Sequence, residues 1–109
     1  MIGNAMDKKY EEALLYDFYG ELLTTRQKNL YEDVRMNDYS LGEIAELYGI
    51  SRQSVHDTVR RTARILHGYE EKLGLVRKFL EIKRLAEEIR QRSGDTEVQK
   101  LADEILEEL

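Results

Sequence analysis

The chain has 109 residues, 41% of them hydrophobic and 36% charged, with no proline and no cysteine. That length suits a single core. The missing cysteines exclude disulfides, thiolate metal sites and cysteine nucleophiles, and a chain without proline but rich in Glu, Lys and Arg favours helices over long strands. No apolar run approaches the roughly 20 residues of a membrane span, and Met1 to Lys9 has no signal-peptide stretch, so the expected location is cytoplasmic. The net charge of −5 is unusual for a binder of phosphates, but it is unevenly distributed. Ser51 to Ile65 holds Arg52, Arg60, Arg61 and Arg64 against Asp57 alone, a local charge of plus three that leaves minus eight elsewhere.

Met1 to Ala5 has no periodicity before the second methionine, and residues 1–6 read as a disordered or vector-derived lead. From Asp7 onward, Leu14, Leu15, Phe18, Tyr19, Leu22 and Leu23 recur at three-and-four spacing, which predicts an amphipathic helix ending near Leu23. Thr24 with Gln27 is a capping-box pattern opening a second helix with Leu30, Tyr31 and Val34 inside, which stops near Met36 to Asp38. Ser40 with Glu43 opens a third, with Leu41, Ile44, Ala45 and Tyr48 inward and Gly49 at its end.

Ser51 then caps a fourth helix. Only Gly49, Ile50 and Ser51 lie between the two, a connection in which glycine supplies a positive φ and Ile50 folds back into the angle between helices. Core positions, turn and cap together predict a helix-turn-helix over Ser40 to Arg64. With Val55 and Val59 inward, Arg52, Gln53 and His56 take the front of the exposed face, where a recognition helix touches base edges. Arg60, Arg61 and Arg64 follow where phosphates would lie. A competing reading makes these arginines a solvated face in which Asp57 pairs with Arg60 or Arg61.

Beyond Val59 the apolar residues Leu66, Tyr69, Leu73, Val76 and Leu80 form one seam, and Leu75, Phe79, Ile82, Ala86 and Ile89 form another. Two seams require partners on two sides, including another chain, and a break is expected at Gly68 or Gly74. Gly94 and Asp95 end the region, and Thr96 with Gln99 is expected to cap a last helix with Val98, Leu101, Ala102, Ile105 and Leu109 on its stripe. The organisation expected is therefore one all-α domain over 1–109, a helical bundle whose helix-turn-helix core spans 24–66 and whose C-terminal helices, 67–109, include a dimerisation surface.

Nothing in this pattern resembles an active site. His56 and His67 lack the spacing of a zinc motif, the paired glutamates at 70–71, 87–88 and 107–108 point to different helix faces, and no phosphate loop or cofactor motif is present. The seven tyrosines mostly fall on or beside apolar stripes, which suits core packing better than base stacking.

From about Ala13 to Leu80, through LLYDFYGELLTTRQKNLYEDVRMNDYSLGEIAELYGISRQSVHDTVRRT, the chain closely resembles the YlxM family of small bacterial proteins, which share a helix-turn-helix similar to region four of sigma factors. Members commonly carry SRQAVYDNIKRT where this chain differs at Ser54, His56, Thr58, Val59 and Arg60 and shares Asp57. The resemblance implies an all-helical fold, a homodimer, and a regulatory role in the signal recognition particle pathway with that particle's RNA or protein as partner. The residues themselves support two functions. One is nucleic-acid binding through Arg52, Gln53, His56, Arg60, Arg61 and Arg64, to DNA or, as the resemblance implies, to the particle's RNA. The other is a protein-interaction module that uses the helical seams.

Overall fold

The computed structural model describes residues 5–109, and every regular element among them is helical. Met1–Asn4 of the expected lead lie outside the described residues, while the backbone is already helical at Ala5. Within the 109 residues read as one domain, two compact units divide between Leu73 and Gly74.

The N-terminal unit contains α1 (Ala5–Tyr19), a 3-10 turn (Gly20–Leu22), α2 (Thr25–Arg35), α3 (Leu41–Tyr48) and α4 (Arg52–Leu73). Helix α4 is its spine and packs against α1, α2 and α3. The inward positions are those the periodicity selects: Leu14, Leu15, Tyr19, Leu30, Tyr31, Ile44, Ala45, Val55, Val59 and Leu66 are all buried. Phe18 and Leu22 are exposed, and Leu22 lies in the 3-10 turn that follows Tyr19, so α1 does not run on to Leu23. In a turn with three residues per repeat, the stripe of a 3.6-residue helix loses its register.

Tyrosines tie these helices together, as core packing predicts. Tyr16 stacks on Tyr31 at a centroid distance of 5.5 Å and donates to Glu32, and Tyr19 lies 5.9 Å from Tyr69 and donates to Glu70 at 2.6 Å. Burial raises the Tyr16 hydroxyl above its ordinary range, and the Glu32 carboxylate raises it further. Tyr10 and Tyr39 are exposed.

The C-terminal unit is a helical hairpin of α5 (Leu75–Arg92) and α6 (Thr96–Glu108). The helix break expected at Gly68 or Gly74 falls at Gly74, whose φ of 64° lies in the left-handed region, while Gly68 continues α4. The break divides the first seam, with Leu66, Tyr69 and Leu73 on α4 and Val76 and Leu80 on α5, while the second lies wholly on α5. The buried residues of the hairpin are few and small, Val76, Ala86 and Ala102, whereas Ile82, Leu85, Ile89, Leu101 and Ile105 are exposed. Arg90 bonds Asp103 across the hairpin at 2.5 Å. The cap of α6 differs from expectation: Asp95 is the N-cap and accepts from Glu97 N at 2.8 Å, and Thr96 is the first helical residue. The carboxylate also complements the positive end of the helix dipole. Gln99 donates instead to the Ser93 carbonyl at 2.8 Å.

Candidate nucleic-acid interface

The helix-turn-helix is fixed mainly by backbone bonds. Ser40 and Glu43 form a reciprocal capping box at the start of α3, with bonds of 3.1 and 3.2 Å, as Thr24 and Gln27 do for α2. At the other end of α3, Gly49 adopts φ 67°, Gly49 N bonds Glu46 O at 3.3 Å, and Ile50 N bonds Ala45 O at 3.0 Å. This pair of bonds is a Schellman closure, which satisfies the last carbonyls and turns the chain sharply. Two residues later Ser51 Oγ accepts from Ser54 N at 3.0 Å, and α4 begins. Helix α3 is held to α2 by Tyr48, which donates to Asp33 at 3.0 Å under the Arg26 guanidinium, 5.7 Å from the ring centroid. Burial and then the Asp33 carboxylate raise the Tyr48 hydroxyl above its ordinary value.

Val55, Val59, Thr62 and Leu66 face inward along α4, each no more than 4% exposed. Thr62 is the inward residue that apolar patterning misses. It fits because its hydroxyl donates to the Thr58 carbonyl at 2.8 Å, leaving no unmet polar group.

All six candidate residues, Arg52, Gln53, His56, Arg60, Arg61 and Arg64, are exposed on α4. Gln53, His56, Arg60 and Arg64 follow the three-and-four spacing of one helix face, and Arg61 flanks it. Arg52 stands apart, its guanidinium folded over the start of α3, where a Cβ added at Gly42 would lie 3.0 Å from Nη2. Arg64 is twelve residues beyond Arg52, about 18 Å along the axis at 1.5 Å per residue. A B-form major groove is about 12 Å wide, so a helix lying in one can carry base-facing residues at one end and phosphate-facing arginines at the other.

The ion pair expected of Asp57 with Arg60 or Arg61 is absent from the described residues. Asp57 Oδ1 instead accepts from Gln53 Nε2 at 2.9 Å, with His56 Nδ1 3.8 Å away. Gln53 at i−4 is as close in helical spacing to Asp57 as Arg61 at i+4. Among the described residues no carboxylate pairs with Arg60, Arg61 or Arg64. No cluster of His, Asp and Glu among those residues could hold a metal ion. A concavity of about 320 Å³ beside α1 and α2 is lined by Lys8, Lys9, Glu12, Tyr31 and Arg35. Among the described residues no helix is long and apolar enough to cross a membrane.

Comparison with known proteins matches residues 6–105 to the model of the UPF0122 family of YlxM / p13 like helix-turn-helix proteins. A UPF0122 protein from Thermoanaerobacter sp. (strain X514) is 50% identical over 104 residues, covering 89% of each chain. One from Acetivibrio thermocellus is 58% identical over 84 residues, 77% of this chain and 72% of its own. Another from Geobacillus kaustophilus is 47% identical over 105 residues, 92% of this chain and 96% of its own.

Proposed function

The chain belongs to the UPF0122, YlxM / p13 like family, a helix-turn-helix family rather than an enzyme family, and from that premise we propose that it is a regulatory, cytoplasmic nucleic-acid-binding protein that docks α4 in a duplex groove. One observation carries the reading: Arg60, Arg61 and Arg64 stand exposed, with no carboxylate partner among the described residues, along the helix whose other face is locked into the core. An overall charge of −5 is tolerable in such a protein because screening over about 10 Å makes the local field decisive. Gln53 and His56 sit where base edges would be met, and the arginines where phosphates would be.

Fluorescence anisotropy tests this with random duplex DNA and with the RNA of the signal recognition particle, the second partner that the resemblance implies. Three phosphate contacts, from Arg60, Arg61 and Arg64, give a slope of about −2.7 in log affinity against log salt, so raising salt fourfold weakens binding roughly fortyfold. Replacing Arg52, Arg60, Arg61 and Arg64 by alanine removes that salt dependence. Equal binding by the variant sinks the reading, and preference for one nucleic acid identifies the target class.

A second reading, a protein-interaction module, draws support from the hairpin. Ile82, Leu85 and Ile89 on α5, Leu101 and Ile105 on α6, and Leu109 just beyond it are each 40–59% exposed. Such a surface suits a second copy of the chain or a partner helix. Light scattering tests the first option: a concentration-independent monomer mass excludes the homodimer.

A further inference from the structure

We propose that Asp57 is a positioning residue that sets the amide of Gln53 to select adenine in the major groove, an inference that rests on the nucleic-acid reading above. Gln53 and Asp57 lie one turn apart near the start of α4, both exposed, joined by the 2.9 Å bond from Nε2 to Oδ1. An unrestrained glutamine presents either end of its amide to a base. The bond through nitrogen removes that ambiguity, because one N–H is donated to Asp57 and the other N–H and the carbonyl oxygen remain for a ligand.

The remaining donor and acceptor match one base edge best. Adenine offers the N7 acceptor and the N6 amino donor, so both groups of Gln53 are satisfied. Guanine offers acceptors at N7 and O6, which sets the Gln53 carbonyl against O6, and cytosine and thymine offer one partner each. A role in selectivity also accounts for an acid on this face, since Asp57 offsets one of the four arginine charges of its segment and repels phosphate. Its carboxylate, 51% accessible, is held by Gln53 at 2.9 Å and has His56 at 3.8 Å, rather than being neutralised by Arg60 or Arg61.

The test takes the full chain and its Asp57→Ala, Asp57→Asn and Gln53→Ala variants through selection from a duplex library with a randomised centre. Anisotropy then follows on the selected duplex and its single-base variants, and circular dichroism verifies that each variant keeps its helix content. The full chain is expected to prefer adenine at one position by roughly tenfold or more. Asp57→Asn removes the charge and can bond Gln53 through either end of its own amide, so it tightens binding to all duplexes and keeps only part of the preference. Asp57→Ala shows the same general tightening and loses most of the preference, as Gln53→Ala does. A preference retained in full in Asp57→Ala overturns the positioning role while the nucleic-acid reading stands. Failure of the full chain to bind any duplex DNA removes the inference together with its duplex target, a result distinguishable from the others.

Discussion

The two units are both made of amphipathic helices, yet they bury different things. Through Leu73 the chain inserts Leu30, Ile44, Val55, Leu66 and the rings of Tyr19 and Tyr31 almost completely, and every tyrosine of the protein lies in this part. From Gly74 onward there is no tyrosine, the buried residues are Val76, Ala86 and Ala102, and most of the large aliphatic side chains stay accessible. Helical periodicity is equally clear in both. Periodicity specifies which face is apolar, whereas the number of elements available to cover that face decides whether it becomes a core. Three helices, α1, α2 and α3, close around α4, whereas α5 and α6 form a two-helix hairpin.

Paired leucine truncations give the largest test of this contrast. Leu30→Ala, at a position 0% exposed, is expected to cost about 2–5 kcal/mol by urea denaturation. Leu101→Ala, at 59% exposed, should remain within about 0.5 kcal/mol. Comparable losses at both positions would mean that the hairpin face is covered in solution, and would favour the interaction reading. Next in size is the break between the helices: Gly74→Ala places a Cβ in the left-handed region and should cost about 1–2 kcal/mol.

Removing the cap of α6 with Asp95→Ala is expected to cost about 1 kcal/mol, with faster amide exchange in α6 and unchanged exchange in α4. Gly68→Ala has the opposite sign to Gly74→Ala: an added Cβ meets nothing within 4 Å, so better helix propensity should stabilise α4 by up to about 1 kcal/mol. At neutral pH the smallest effect comes from the tyrosines. Burial foremost raises the hydroxyls of Tyr16, Tyr31 and Tyr48 above the ordinary value of 10.0. The folded state then holds these protons more tightly than the unfolded state, so their contribution is complete below pH 10 and declines as pH rises through the folded values. Alkaline unfolding by near- and far-ultraviolet dichroism should therefore begin in the tyrosine-bearing unit. Earlier loss of α5 and α6 would show that packing, not ionisation, governs that range.

Much of the N-terminal unit was legible because its signals are short-range. Thr24 with Gln27, Ser40 with Glu43, and Gly49 before Ser51 each satisfy backbone groups within three or four residues, so spacing suffices to find them. Gly68 and Gly74 look alike in composition, and what separates them is a left-handed backbone at one of the two. Asp95 was hidden because Thr96 with Gln99 imitates the capping pattern one residue later. On the candidate interface the exposure of all six side chains follows from the inward register of Val55 and Val59. The Asp57 bond to Gln53 did not follow, since the carboxylate has neighbours within reach in both directions along α4 and their relative energies differ by only tenths of a kcal/mol.

The closure at Gly49 and Ile50 draws its strength from main-chain groups, and the outer positions of α4 contribute nothing to it. The frame of the motif is thereby insulated from the identity of the side chains it displays. Gln53, His56, Asp57 and the arginines form an exchangeable cassette, and a lineage can rewrite its target by point substitution without having to rediscover how to fold.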